Sequence, residues 1–123
     1  MKRDMRVYVA VSAMVMVIAV CTLDRVFAHH GWSGYDSAQV LKLTGKIVES
    51  GYEHPHGFVH LQVPDKIWIV VLAPPSRMER RNLPRKLLAP GTEATVVGYP
   101  SRTDSNEMRA ERISVNGRTT ELR

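Results

Sequence analysis

The sequence predicts an all-β fold with one short helix, because three observations point the same way. Apolar and polar residues alternate along several short segments, as in half-buried strands. Gly, Pro and Asn-Gly turn signals separate those segments. One capping pattern between two proline-containing breaks leaves room for a single short helix. A chain of 123 residues has the length of one domain, so these elements are expected to form one small barrel.

A targeting segment is predicted at the N-terminus. Three basic residues within the first six positions precede an apolar run from Val7 to Val20. Val26-Phe27-Ala28 then supplies small residues at the −3 and −1 positions of a cleavage site. We therefore predict a signal peptide over residues 1–28 that is cleaved after Ala28, and export to the periplasm.

Two other interpretations of this segment are weaker. A transmembrane anchor needs about 20 apolar residues, whereas Asp24 and Arg25 cut this run short. A lipoprotein would be acylated at Cys21, but the preceding Val20 stands where a small residue is normally required. Contact with a membrane is therefore expected only through an uncleaved leader.

Cleavage changes the composition that matters for function. Residues 1–28 hold four basic residues, two acidic residues and the only cysteine, so the net charge falls from +5 to +3 and 95 residues remain. The mature protein, beginning at His29, would have no thiol or disulfide chemistry. Its modest positive charge makes nucleic acid a poor candidate partner.

The first three strands are predicted in the first half of the mature chain. Residues 41–47 alternate with a period of two, and Gly45 within them indicates a bulge or sharp bend. Residues 51–57 contain Gly and Pro and predict a turn. Val59, Leu61 and Val63 are expected to share one face of the second strand. The continuous apolar run 67–72 indicates a third strand that is covered on both faces.

A short helix and the last strands follow. Ser76 and Glu79 fit a capping box at the start of a helix, and Pro84 interrupts the helical pattern. Asn116-Gly117 is a strong signal for a tight hairpin. The remaining strands are predicted over residues 92–99, 108–115 and 118–122.

Three strands, a helix and two further strands, with a long bent first strand, match a small five-stranded barrel of the oligonucleotide/oligosaccharide-binding (OB) type. An SH3-like barrel and an open meander are the competing architectures. The predicted organisation is a signal peptide over residues 1–28, an N-terminal His/Trp arm over 29–37 and an OB-like barrel over 38–123.

Four stretches of the chain also resemble a known family. They are His29–Asp36, His54–Gly57, Leu72–Met78 and Gly98–Arg102. Together they are similar to small exported bacterial proteins of the domain-of-unknown-function family 6152. The resemblance implies a periplasmic setting and one small barrel, and it brings no activity and no catalytic residues.

Histidines form the most informative chemical pattern. The five are His29, His30, His54, His56 and His60. After cleavage, the free amine and ring of His29 could chelate one metal, and imidazole suits Cu(II), Zn(II) and Ni(II). The i, i+2 spacing of His54 and His56 puts both rings on one side of an extended segment, and His60 has the same parity. We therefore predict a periplasmic module that binds copper or another transition metal, and whose two histidine groups form either one shared site or two sites.

Other donors limit the choice of metal. Oxygen ligands are available nearby at Asp36, Glu49 and Glu53. Only Met78 and Met108 remain as methionines after cleavage, which disfavours a Met-rich Cu(I) carrier. The alternative to a metal site is that the histidines are ordinary polar surface residues.

A basic group predicts a second, non-metal function. It consists of Arg77, Arg80, Arg81, Arg85 and Lys86. Guanidinium groups bind carboxylates and phosphates, so an OB-type module could hold a periplasmic protein partner or a small anionic ligand here. The alternative is a solvated helix face. Trp32, Tyr35 and Tyr99 either line an aromatic face or, for the first two, anchor the N-terminal arm.

Enzymatic activity finds little support in the sequence. No Gly-x-Ser-x-Gly, His-Glu-x-x-His or phosphate-binding glycine loop occurs. A copper histidine brace at His29 is the one exception to consider, although it would need a second ring. We therefore expect a binding protein and not an enzyme.

Overall fold

The computed structural model describes residues 31–123. The predicted signal peptide and the histidines at positions 29 and 30 lie outside the described residues. Residues 31–34 belong to one unit of the chain and residues 35–123 to another. In the described part of the first, Trp32–Gly34 form one turn of 3-10 helix. No helix within residues 31–123 is long and apolar enough to cross a membrane.

The second unit is built from strands with one short α-helix, as predicted. In chain order its elements are β1 (Leu41–Gly51), β2 (Phe58–Gln62), β3 (Ile67–Val71), α1 (Pro75–Arg80), a 3-10 helix (Arg85–Leu88), β4 (Glu93–Pro100), β5 (Glu107–Val115) and β6 (Arg118–Glu121). Within residues 31–123 these strands form one sheet in the order β3-β2-β1-β4-β5-β6.

A parallel pairing between β3 and β5 closes the first five strands into a barrel. Every other pairing in the described sheet is antiparallel. This connectivity, with the helix between β3 and β4, confirms the OB-like barrel and excludes the open meander. β6 extends the sheet beyond β5 as an edge strand.

Strand β1 belongs to both halves of the barrel because it bends at Gly45. Its first half pairs with β4, and its second half pairs with β2. A Cβ at Gly45 would collide with the backbone carbonyl of Gln62, so only glycine permits this close approach. A register shift follows between Ile47 and Glu49. The predicted bend in the first strand is therefore confirmed.

The inner faces of the strands form a single apolar core. Its largest fully buried side chains are Ile47, Leu61, Leu72, Met78, Leu88, Met108, Ile113 and Leu122. Burial of each such side chain contributes about 1.5–3 kcal/mol relative to exposure. The expected inward face of β2 is confirmed, since Val59, Leu61 and Val63 are all buried.

The third strand is fully covered on its inner face and only partly covered on its outer face, so the prediction of two covered faces fails at Ile67. Val70 is fully buried, whereas Ile67 is 45% exposed. The reason is the barrel itself, in which each strand turns only alternate residues toward the core.

Helix α1 starts without the predicted capping box. The N-cap residue is Pro74, Pro75 occupies the first turn, and no side chain caps the helix. Proline at this position has a preset φ and no N–H to satisfy, so the helix begins before Ser76. Met78 points into the core, and the backbone N–H of Leu83 closes the end of the helix by donating to the Met78 carbonyl.

Candidate functional site

The outward-pointing residues of β2, β3 and β5 form two rows across the barrel, which we call the outer face. One row contains Phe58, Val71 and Arg109, and the other contains His60, Ile69 and Glu107. In OB barrels the face of the second and third strands and the adjoining loops bind ligands. The outer face is therefore the first place to look for a site.

Arg109 is the buried charge of this face. Its neighbours Met108 and Ala110 lie in the core, so the Arg109 side chain leaves the barrel on the outer side. The residue is only 7% exposed. Its Nη2 lies 3.4 Å from Nε2 of His56, in the β1–β2 loop, and its guanidinium carbon lies 6.0 Å from the centre of the Tyr35 ring.

The electrostatics of this region are cationic. Burial lowers the pKa of His56 below its ordinary value of 6.5, and the charges of Arg109 and Arg77 lower it further. Burial also lowers the pKa of Arg109, with Arg77 and Arg123 acting in the same direction and Tyr35 opposing them. An arginine stays protonated despite such shifts. We call His56, Arg77 and Arg109 the cationic cluster.

Tyr35 is fixed beside the cluster by a carboxylate. Its hydroxyl donates to Oε2 of Glu107 at 2.9 Å. Burial, followed by this hydrogen bond, raises the pKa of Tyr35 from 10.0 to about 12. Tyr35 also bridges to Ser101. Of the two predicted roles for this tyrosine, anchoring therefore has structural support.

A second tyrosine on the barrel makes a similar contact. Tyr99, which stands opposite Arg109 in the β4–β5 ladder, donates its hydroxyl to Oε2 of Glu111 at 2.9 Å. Carboxylates thus lie on both sides of Arg109 along β5. The cationic cluster therefore has negatively charged side chains beside it.

His60 has a different environment from His56. Its Nδ1 lies 3.0 Å from Oε2 of Glu49, across the β1–β2 ladder. The ring also lies 5.2 Å from the ring of Phe58, at an interplanar angle of 38°. The carboxylate contact at Nδ1 leaves Nε2 as the ring nitrogen for a ligand.

The three described histidines therefore make separate contacts. His54 is exposed in the loop formed by residues 52–57, where the parity of an extended strand does not apply. His56 faces Arg109, and His60 faces Glu49. Within the part of the chain that the structure describes, no three His, Cys, Asp or Glu side chains are grouped to hold a metal ion.

The predicted basic group is divided between two places. Nη1 of Arg77 donates to the carbonyl of Leu122 at 3.0 Å. Nη1 of Arg81 donates to the carbonyls of Glu121 and Arg123 at 2.7 and 3.1 Å. These two arginines attach α1 to the end of the chain, while Arg80, Arg85 and Lys86 remain exposed.

Sequence reasoning missed Arg109. The residue lies inside a strand, far from any motif, and the sequence pattern alone marks it only as an arginine between two apolar residues, Met108 and Ala110. A charge at such a position is the signal that could have identified it, because buried arginines are rare.

Solved structures that are similar to this chain include the following three. The S. pombe Stn1–Ten1 complex shares 14% sequence identity, with a TM-score of 0.51 over 62% of this chain and 57% of that one. Asparaginyl-tRNA synthetase from Pyrococcus horikoshii, complexed with asparaginyl-adenylate, shares 15%, with a TM-score of 0.49 over 69% and 20%. The complex of TiaS with a transfer RNA and ATP shares 22%, with a TM-score of 0.47 over 72% and 20%.

The similarity to the Stn1–Ten1 complex shows the fold alone. The chain spans a little over half the length of the Stn1–Ten1 chain and a fifth of the other two. No curated protein matches this chain. A model of one protein family does match it, over residues 16–109, which is well over half of the sequence. The chain therefore belongs to DUF6152, a family of unknown function, as its sequence motifs predicted.

Proposed function

We propose that this protein is an exported OB-like binding domain that holds an acidic segment of a protein partner at the cationic cluster. The observation that carries the proposal is the approach of Nε2 of His56 to Nη2 of Arg109, at 3.4 Å on a largely buried arginine. Two donor-bearing side chains are thereby held together on the ligand-binding side of the fold.

A carboxylate would change the protonation of this site. Neutral His56 now faces the cationic Arg109, so its Nε2 acts as an acceptor. A carboxylate entering between them would raise the pKa of His56, and the ring would take up a proton. Both side chains would then donate charge-assisted hydrogen bonds, which are about twice as strong as neutral ones.

The charge pattern favours an acidic peptide over a nucleic acid. Glu49, Glu107 and Glu111 carry negative charge on or beside the outer face. Nucleic acids bind through many neutralised phosphates, whereas the cluster supplies two arginines among these carboxylates, which matches one or two acidic side chains of a peptide segment. The Stn1–Ten1 structure is a complex, which supports choosing a macromolecular partner over a free anion.

Fluorescence anisotropy with a labelled oligo-glutamate peptide tests the proposal. We expect saturable binding that strengthens as the pH falls through the titration of His56. Arg109→Gln and His56→Ala should each weaken it about tenfold, equivalent to about 1.4 kcal/mol. Arg118→Gln, which removes an exposed charge from the β6 hairpin, is the matched control.

Two outcomes would contradict this function. One is peptide binding that is unchanged by Arg109→Gln and His56→Ala but weakened by Arg118→Gln. The other is a labelled oligothymidylate that binds while the peptide does not. Circular dichroism of each variant separates a lost site from a lost fold.

Transition-metal binding is a second candidate, supported by the contact between Nδ1 of His60 and Oε2 of Glu49 at 3.0 Å. Histidines that ligate metals usually make such a carboxylate contact through their other ring nitrogen. The remaining ligands would come from the loop histidines and from the free amine and rings of His29 and His30. Isothermal titration of the protein with Cu(II) and Zn(II), in wild-type and His60→Ala forms, tests this. Affinity weaker than about 1 μM, or affinity unchanged in His60→Ala, would reject the site.

A further inference from the structure

A pocket of about 330 Å³ opens between the end of β1 and the 3-10 helix that follows Pro84. Residues 50–53 form one wall, and Arg85, Lys86 and Leu88 form the other. This volume is at the lower end of the range typical of small-molecule sites. The pocket is separate from the cationic cluster, because His56, Arg77 and Arg109 do not line it.

The lining of the pocket includes a fixed apolar surface. Leu88 supports this surface from behind, because its side chain is fully buried in the core. The hydroxyl of Tyr52 donates to the carbonyl of Leu83 at 2.6 Å, which holds the ring in place. Ala89 and Pro90 complete this side. A flat apolar group could therefore lie against the Tyr52 ring without rearrangement of the lining.

The charges at the pocket are unbalanced. Arg85 and Lys86 are both exposed, and Glu53 is the single acidic residue of the lining. The guanidinium carbon of Arg85 lies 5.8 Å from the centre of the Tyr52 ring, and its Nη2 lies 3.5 Å from the Tyr52 carbonyl. These contacts keep the Arg85 guanidinium near Tyr52, with donor groups left for a carboxylate.

The geometry points to a binding site for a small carboxylate that carries a flat apolar body. The carboxylate is held by Arg85 and Lys86, and the body lies against Tyr52, Ala89 and Pro90. This site is independent of the proposed partner function. The predicted basic group is thereby divided by role. Arg85 and Lys86 line the pocket, whereas Arg77 and Arg81 attach α1 to the end of the chain.

Amide NMR spectra of the protein, as its host processes it, test this site with three probes. Benzoate has both the charge and the flat body, benzamide has the body alone, and acetate has the charge alone. We expect benzoate to shift the amides of residues 50–53 and 86–89 saturably. Benzamide and acetate should bind at least about fivefold more weakly, as expected for loss of one charge pair or one apolar contact.

Variants decide whether the named cations hold the carboxylate. Lys86→Gln and Arg85→Gln should each weaken benzoate binding about fivefold, while Arg118→Gln leaves it unchanged. The site is rejected if benzamide binds as well as benzoate, if neither variant weakens benzoate, or if the shifted amides surround His56 and Arg109. Because the oligo-glutamate peptide lacks a flat body, loss of this site leaves peptide binding intact, and the two proposals fail separately.

Discussion

Nε2 of His56 lies 3.4 Å from Nη2 of Arg109, and this contact joins the β1–β2 loop to the outer side of β5. A histidine held against a buried arginine is kept neutral. The arrangement links the protonation of one loop residue both to the stability of the barrel and to the charge presented on its outer face.

The stability of the barrel should fall in mild acid because of His56. Its pKa is lowered in the folded protein, so the unfolded chain binds the extra proton as the pH drops below 6.5. The contribution is present above that pH and is lost below it. Urea unfolding at about pH 7.5 and about pH 5 should show a smaller acid loss in His56→Asn than in wild type. His54→Asn, in the exposed part of the same loop, should keep the wild-type loss; equal losses in all three proteins would contradict the assignment.

Tyr35 should be the late-titrating tyrosine of the barrel. Its pKa is about 12 in the folded state and 10.0 ordinarily. A raised pKa contributes stability below pH 10, and this contribution disappears as the pH rises through about 12. When phenolate absorbance is measured against pH, the ionisation step at the highest pH should therefore be absent in Tyr35→Phe. Tyr99→Phe, which removes the other tyrosine–glutamate contact, should retain that step. Retention of the step in Tyr35→Phe would refute the assignment.

Gly45→Ala should damage the bend of β1. The new methyl group would meet the backbone carbonyl of Gln62, which cannot move without breaking the β1–β2 ladder. We expect a loss of about 1–3 kcal/mol in the free energy of unfolding, in the range of overpacking mutations. Gly31→Ala, where a Cβ meets no described atom within 4 Å, should change it by less than about 0.5 kcal/mol. Similar denaturation midpoints for the two variants would show that the bend tolerates a side chain.

Arg81 should slow local opening of the last strand and the residues after it. Its guanidinium donates to the carbonyls of Glu121 and Arg123, on the last strand and its tail. Arg81→Ala is expected to cost about 0.5 kcal/mol, since the side chain is exposed, and to speed amide hydrogen exchange in residues 119–123. Arg80→Ala, one position earlier, should leave that exchange unchanged. Uniform exchange changes across the whole barrel would argue against a local role.

Much of the barrel could be predicted from the sequence because its signals are local. The alternation in β2, the glycine bend in β1 and the Asn116-Gly117 hairpin, with φ values of 53° and 75°, all depend on near neighbours. The helix start could not be located in the same way. Pro75 and Ser76 both carry start signals, and the structure shows that the helix begins at Pro75, with no side chain acting as a cap.

The site was harder to predict because its members are far apart in the sequence. His56 and Arg109 are 53 residues apart and meet only through the β3–β5 closure. The spacing of His54 and His56 suggested a pair, yet the loop directs them into different surroundings. Likewise, Arg77 and Arg85 read as one basic group, although one attaches to the last strand and the other lines a pocket.

The parallel pairing of β3 with β5 also sets the order in which the molecule can be completed. Residues 69–71 pair with residues 107–109. A nascent chain that has emerged only as far as β4 would therefore have an open sheet with two unpaired edge strands. Unpaired edge strands can pair with strands of other molecules. Chains truncated before Glu107 should therefore aggregate. Chains that end just after Val115 retain β5 and can still close the barrel.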